Sequence, residues 1–417
     1  MKLEEEENKE LLDTFKKRKV SIIFGGSGFI GLHLTKKLLN QEHKVIVIDK
    51  YKHSELEVIK DKLINKNDLH FFRFDMVQDA YNNLDFLNTI YEEDDGNNIN
   101  IFHLASNLGP EKVTENHSID DYILNFNFYN YLKKLVDFNK KLKFNKIIFA
   151  STSEVYGEQE NMSECESTSI NILKDKYRPQ YALQKLTAEN LLLNFGKDFN
   201  QEVIVTRLFN IVGPGQKEGF VISNFNKIFK ENLETIKSNI RALKNIPRED
   251  YPVLSLKPFI IYGDGKQSRT FTDISDTVNA LELLSNYKEN YKEDAFTINE
   301  ETKIINSIIN IACSKNEISI LKLAYKYLEF YKHILQNFLI DKDEFNKLNE
   351  NQKKYINYLL EEIHDKKTFI SFISPNDENN ISIGASKRIP SVFKLYKVLG
   401  YKPVKNINNI IGTLINE

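Results

Sequence analysis

Cysteine is scarce in this chain. Cys165 and Cys313 are the only two in 417 residues, far apart and in no C-x-x-C spacing, which excludes a disulfide framework and leaves a zinc site without support. A reducing cytosol suits such a chain, and a cytoplasmic location is expected. An excess of either charge is also missing. Lys and Arg number 57 against 59 Asp and Glu, so no single-sign field draws in nucleic acid or an anionic membrane, and neither is expected as a partner. Long apolar runs are absent too. The opening MKLEEEENKELLDTFKKRK is a charged amphipathic arm (1–19), and no later stretch reaches membrane-spanning length, so no targeting or anchoring segment is expected. No solenoid-type repeat appears, and the Asn/Lys/Ile-rich composition is not a low-complexity domain. What is there is 41% hydrophobic residue, enough to fill the cores of two or three domains.

The apolar residues are organised as strands alternating with helices. VSIIF (20–24) is a β-branched run of the kind buried on both faces of a parallel sheet. GGSGFIG follows, then LHLTKKLLNQ with Leu32, Leu34, Leu38 and Leu39 able to share one helical side, then a second strand, KVIVIDK. The alternation continues through LHFFRFD (69–75), NIFHLAS (100–106), FNKIIFAS (144–151) and QEVIVTRLF (201–209). This order predicts an α/β fold, a Rossmann-type doubly wound parallel sheet with right-handed crossovers, over 20–208. Beyond about 210 the pattern loosens into PGQ, a long polar segment through IPREDYP, and the turn-rich YGDGKQS. A smaller α+β substrate-binding domain is therefore expected over most of 209–417, with about 271–312 (FTDISDTVNALELL, then INSIINIA) returning to the first domain. The Lys/Tyr/Leu/Glu-rich stretch 320–366 predicts consecutive helices, read as an exposed insertion or packing cover.

GGSGFIG sets Gly25, Gly28 and Gly31 in a GxxGxxG spacing between a strand and a helix, and that context gives the motif its weight. Gly25 permits the tight turn, Gly28 lets a pyrophosphate approach the backbone, and Gly31 allows the helix to pack close to the strand. Unpaired N–H groups at the helix start, around Phe29 and Ile30, supply donors and positive dipole. A dinucleotide is expected there. Asp49 ends the second strand, where an acidic side chain accepts both ribose hydroxyls and repels a 2′-phosphate, so NAD is favoured over NADP. Asp75 with Met76, and Leu104, Ala105 and Ser106, follow the third and fourth strands and are expected to line the adenine and ribose pockets. His103, inside its strand, reads as core.

The segment FASTSEVYG (149–157) ends another buried strand, and RPQYALQK (178–185) opens the next helix with Tyr181 and Lys185 four apart on one face. A cation beside a phenol stabilises phenolate, so Tyr181 suits a general base near neutral pH while Lys185 also holds the nicotinamide ribose.

In GGSGFIG, VIVID, FHLAS, ASTSEVYG, YALQK, RLFNIVGPGQ and YGDGKQSRTFTDISD the chain resembles the extended short-chain dehydrogenases, the NAD-dependent epimerase/dehydratase group. The resemblance covers nearly the whole chain except the arm and parts of 231–253 and 330–370. It implies an enzyme that oxidises the C4 hydroxyl of a nucleotide-sugar to a 4-keto intermediate, with Thr152 positioning the C4 oxygen, Tyr181 as base and Lys185 as its partner. It also implies a homodimer through helices at about 122–139 and 180–198. The second chemical step turns on Glu154, since simple 4-epimerases need no further acid or base there. Thr152, Ser153 and Glu154 followed by VYG are similar to UDP-glucuronate decarboxylases, and a similar Thr-Ser-Glu occurs in GDP-mannose 4,6-dehydratases. EGFVISNF (218–225), Arg269 in SRTFTDISD and Arg388 in KRIPSV favour the decarboxylase comparison. Arg269 and Arg388 suit a diphosphate or carboxylate, and Asn210 is expected to bond the diphosphate. Phe220, where similar decarboxylases carry Arg, and Ala312–Cys313, in place of the usual Gly-Asn, depart from that pattern. A UDP-glucuronate decarboxylase is thus the leading expectation, a UDP-sugar 4-epimerase or nucleotide-sugar 4,6-dehydratase the alternatives, and a non-catalytic NAD-binding scaffold the outside reading.

Overall fold

The computed structural model describes residues 18–79, 98–106, 118–157, 179–242, 256–288, 305–340, 346, 348–365, 369–374 and 389–417. They fall into two compact units. The first draws on 1–211, 270–314 and 388–405, and the second on 212–269, 315–387 and 406–417.

The first unit is built on β1 (Val20–Phe24), β2 (Lys44–Asp49), β3 (Leu69–Arg73), β4 (Ile99–His103), β5 (Lys146–Thr152) and β6 (Val203–Leu208), joined by a seventh strand, Ser307–Ile311. Their order is Ser307–Ile311, β6, β5, β4, β1, β2, β3, all parallel. Every residue of β1, β4 and β5 is buried, which is why these strands read as unbroken apolar runs and not as alternating ones. Side chains still alternate between faces. Ile22 and Phe24 pack with Leu124, Phe128 and Leu132 of the helix Ser118–Phe138 and Leu192 and Phe195 of the helix Pro179–Asp198. Ile23, Val45 and Val47 pack with Leu34 and Leu38 of the helix Phe29–Leu39 and Val278 and Leu281 of the helix Ile274–Asn286.

Strand order, not strand direction, reverses between β1 and β4: β2 and β3 are added on one side of β1, and β4, β5 and β6 on the other. At such a switch point, the carboxyl ends of the strands leave a crevice between diverging connections. The register places Phe24 opposite both Ile48 and His103, and His103 opposite Phe149. Consequently Gly25, Asp49, Leu104 and Ala150, each one residue further on, emerge along one edge of the sheet. The segment 389–405 is tied back to this unit: Lys394 Nζ donates to Ser307 Oγ and the Ile308 carbonyl, and Tyr401 Oη donates to buried Asp276.

In the second unit the helices Val221–Ala242, Ile320–Ile340, Glu350–Asp365 and Ile407–Asn416 accompany a parallel pair of strands, Phe259–Tyr262 with Ile370–Ile373. Two sequence expectations change here. The polar stretch beyond 220 contains a 22-residue amphipathic helix burying Ile222, Phe225, Phe229, Ile236 and Ile240. The helices after 320, expected as an exposed insertion or cover, supply this unit's core. Tyr327 and Tyr331 are completely buried, with Tyr331 stacked on Phe229 at 4.1 Å between ring centroids and its hydroxyl donating to the Phe229 carbonyl at 3.0 Å. The tyrosines look polar in sequence, yet a helical spacing of four puts them on one apolar face whose partners lie about a hundred residues away. Among the described residues no helix is long and apolar enough to cross a membrane, and no cluster of His, Cys, Asp and Glu could hold a metal ion.

Candidate active site

The glycine turn between β1 and the helix Phe29–Leu39 is shaped by close backbone packing. Gly25 has φ +82°, and a Cβ there would sit 2.6 Å from Ala105 N and Cα. A Cβ on Gly31 would lie 2.5 Å from Gly25 O and Gly26 Cα. No side chain fits either position, so these two glycines lock the turn against the end of β4 and against its own helix. Gly28 differs. Its φ is an ordinary −75°, it is exposed, and an added Cβ would meet only Gly25 O, at 3.3 Å. The fold does not require glycine at 28, whereas a ligand lying against the helix start would.

Asp49, at the end of β2, faces this turn. Its Oδ2 accepts from Ser27 N at 3.0 Å and its Oδ1 from Tyr51 N at 3.2 Å. Burial raises its pKa above the ordinary carboxylate value although those N–H groups pull the other way. Asp75 Oδ1 accepts from Val77 N, and buried Met76 offers its carbonyl to Asn127. Leu104 and Ala105 lie against Gly25, with Ser106 next in the chain, and Phe29 and Ile30, half-buried, form the first helical turn. The hydroxyls of Ser27 and Ser106 are buried without a bonding partner among the described residues. Such orphaned groups beside an open glycine fit a bound dinucleotide, which would hold its pyrophosphate at the helix N-terminus.

The second cluster surrounds the end of β5. Thr152 caps the short turn Ser153–Tyr156, its Oγ1 accepting from Glu154 N at 3.2 Å, and Thr152 and Ser153 are buried. The helix Pro179–Asp198 carries half-buried Tyr181 and, one turn on, buried Lys185. Lys185 Nζ donates to the Ala150 carbonyl at 2.9 Å and lies 4.8 Å from the centre of the Phe149 ring. Burial lowers its pKa to about 8, offset in part by the carboxylates of Asp121 and Glu189. His103 is fully buried, as expected. It stacks on Phe128 at 4.0 Å and shares a hydrogen bond with Asn125 Oδ1, and burial with the nearby Lys185 charge lowers its pKa to about 3. Asn125 in turn donates to Gln184 Oε1.

Register and packing thus bring the glycine turn, Asp49 and 104–106 together, and Lys185 with the strand that ends in Thr152. Asn210 is not spare: at φ 36° its side-chain amide donates to the Thr270 carbonyl at 3.0 Å. Arg269 lies in the second unit, its Nη1 donating to the Ser268 carbonyl, and Arg388 lies outside the described residues. Sequence reasoning passed over Glu189 and Arg207, a buried ion pair beneath this cluster. The available signal was an arginine inside the otherwise apolar VIVTRLF, since a buried charge needs a partner.

Residues 21–299 match the family described as NAD dependent epimerase/dehydratase. The UDP-N-acetyl-alpha-D-glucosaminuronate decarboxylase of Bacillus cytotoxicus is 30% identical over 66% of this chain and 73% of its own length. UDP-glucuronic acid decarboxylase 1 of Xenopus tropicalis is also 30% identical, over 65% of this chain but only 54% of the relative. The chain therefore spans about half of that protein. Among solved structures, the UDP-glucuronic acid 4-epimerase of Bacillus cereus, crystallised with NAD, superposes with a TM-score of 0.60 at 22% identity, covering 95% of this chain and 99% of that one. At that identity the likeness speaks for the fold. The matched family and the seven-stranded parallel sheet lead to one conclusion: the chain belongs to the NAD-dependent epimerase/dehydratase family of extended short-chain dehydrogenases, with NAD as its cofactor.

Proposed function

We propose that this chain oxidises the C4 hydroxyl of a UDP-sugar and, in its leading form, decarboxylates UDP-glucuronate. The observation that carries the reading is the buried Lys185 ammonium, one helical turn from Tyr181 and bonded to the strand end that presents Thr152, Ser153 and Glu154. Bound NAD would serve as the two-electron oxidant of C4, held by Gly28, Phe29, Ile30 and Asp49, with Asp75, Met76 and 104–106 around the adenosine. Tyr181 takes the C4 hydroxyl proton. Lys185 favours the phenolate by its charge and, from the same position, binds the nicotinamide ribose. Thr152 orients the C4 oxygen, with Ser153 alongside. A 4-keto group makes the C5 carboxylate a β-keto acid, so carbon dioxide leaves as its electron pair enters an enolate; Glu154 then governs protonation at C5. Arg269 and Arg388 are assigned to the diphosphate and carboxylate, and the second N–H of the Asn210 amide to the diphosphate. The similarity to two decarboxylases supports this choice, with epimerase and dehydratase as the alternatives.

We assign a homodimer through the helices Ser118–Phe138 and Pro179–Asp198. A groove of about 310 Å³ there is lined by Tyr122, Phe126, Ala188 and Leu191, and Ile119, Ile123 and Phe126 are exposed. A cytosolic setting suits the free buried thiol of Cys313. The test is incubation with NAD and, separately, UDP-glucuronate, UDP-glucose, UDP-N-acetylglucosamine and GDP-mannose, with products identified by mass and NMR. Carbon dioxide release from UDP-glucuronate is the expected result. Unchanged mass with an inverted C4 replaces decarboxylation by epimerisation, and loss of water replaces it by dehydration.

A further inference from the structure

The face of the helix Pro179–Asp198 that carries Tyr181 and Lys185 continues one turn to Glu189, whose carboxylate is buried and fully engaged. Oε1 accepts from Arg207 Nε at 3.0 Å and from the Ser151 hydroxyl, and Oε2 accepts from Arg207 Nη2 at 2.7 Å. Arg207, on β6, is also buried, with its guanidinium 4.6 Å from the centre of the Tyr156 ring. The Tyr156 hydroxyl donates to Asn310 Oδ1 at 2.8 Å, and the Asn310 amide donates to the Ser391 carbonyl at 3.0 Å. Ser151 immediately precedes Thr152, and Tyr156 closes the turn that begins at Ser153. The pair thus grips both ends of the Thr152–Glu154 segment and, through Glu189, the helix bearing Lys185.

We propose that Glu189 and Arg207 are positioning residues for the active site: together they hold the Thr152–Glu154 turn and the Lys185 helix on one frame, and Glu189 presents its charge to the Lys185 ammonium. Taking Lys185 and that turn as reacting groups rests on the proposed function; the frame itself does not. A merely stabilising role is a poor account of the pair, because buried ion pairs contribute little net stability over apolar residues of similar size, whereas loss of one partner strands a charge. Charged and titratable groups around Lys185 come from every neighbouring element. Asp121 stands on the helix Ser118–Phe138, Glu189 and Tyr181 on its own helix, His103 on β4, and Arg207 on β6 behind Glu189. His103 is neutral at working pH, so Asp121 and Glu189 are the anions that favour the ammonium.

The test needs no turnover. Lysine labelled with carbon-13 at Cε is titrated by NMR in the parent, Glu189→Gln, Glu189→Asp and the double variant Glu189→Gln/Arg207→Met, with Lys185→Arg assigning the resonance. The Lys185 titration is expected to fall by about one pH unit or more in Glu189→Gln, and by less in the double variant, where the Arg207 cation is removed as well. Glu189→Asp, which keeps the charge, should stay near the parent. Amide exchange at Glu154 and Gly157 should quicken in the double variant and in Ser151→Ala, while NAD still raises the melting temperature of each folded variant. Unchanged Lys185 titration in Glu189→Gln, or unchanged exchange in the turn, overturns the proposal. Should neither charge-removing variant fold, Ser151→Ala decides alone by its exchange rates. If no UDP-sugar reacts with the parent, the functional reading fails while the NMR result still decides this one.

Discussion

Replacing Gly28 and Gly31 separately with alanine should separate a ligand-binding glycine from a packing one. At Gly31 the new methyl would overlap backbone atoms of Gly25 and Gly26 at 2.5 Å, and backbone cannot swing aside as a flexible side chain can. Overpacking of this kind costs about 1–3 kcal/mol or more, and the gain of about 1 kcal/mol from alanine in a helix offsets only part of it. A net loss of about 2 kcal/mol lowers the melting temperature by roughly 4–8 °C for a unit of this size. At Gly28 the nearest atom is 3.3 Å away and φ is −75°, so alanine needs a shift of a few tenths of an ångström. The apoprotein should melt within about 2 °C of the parent. NAD at about 100 times its Kd should stabilise the parent by about 2.7 kcal/mol, roughly 5–10 °C. Gly28→Ala should lose that rise, because its methyl occupies the space of the pyrophosphate. Differential scanning fluorimetry with and without NAD measures both quantities. A full NAD-dependent rise in Gly28→Ala, or a Gly31→Ala that melts like the parent, refutes the assignment.

Tyr181→Phe should still show the NAD-dependent melting rise but lose at least about a hundredfold in kcat with the reactive UDP-sugar, the scale of general-base catalysis; retained turnover would remove Tyr181 from the mechanism. With that sugar, kcat/KM should decline as pH rises through about 8, where Lys185 loses its proton, and a flat profile to pH 9.5 contradicts the role given to its charge. Because the folded-state pKa of Lys185 is depressed from 10.5 to about 8, the fold disfavours the ammonium, and this cost shrinks only as pH climbs from about 8 towards 10.5. The difference of 2.5 units is about 3 kcal/mol at neutral pH, against about 1–3 kcal/mol for the Ala150 carbonyl left without its donor. Lys185→Met should therefore melt no lower than the parent at pH 7 while being inactive, and a drop above 5 °C would contradict the burial cost. Tyr327→Ala should destabilise the second unit by about 3–5 kcal/mol, seen in urea denaturation, because the ring is buried among Phe225, Phe229 and Phe259; an exposed insertion would tolerate it.

Short-range order was legible in the amino-acid sequence because local rules govern it. Fully buried parallel strands leave continuous apolar runs, a tight turn against a helix start leaves glycines at a fixed spacing, and a helix sets Tyr181 and Lys185 one turn apart. Those patterns determined the Rossmann-type sheet, the glycine turn facing Asp49, and the candidate pair. Tertiary structure alone decided which glycines are demanded by packing, since the clash at Gly25 comes from Ala105, eighty residues on. It also tied the Asn210 amide to Thr270, made Tyr327 and Tyr331 core, and joined Glu189 to Arg207 and Ser151 beneath Lys185. Each depends on contacts between distant segments, and a charge buried in a strand does not announce its partner. Desolvation of the Lys185 ammonium follows from those same contacts, so the property on which the proposed chemistry turns belongs to the folded chain.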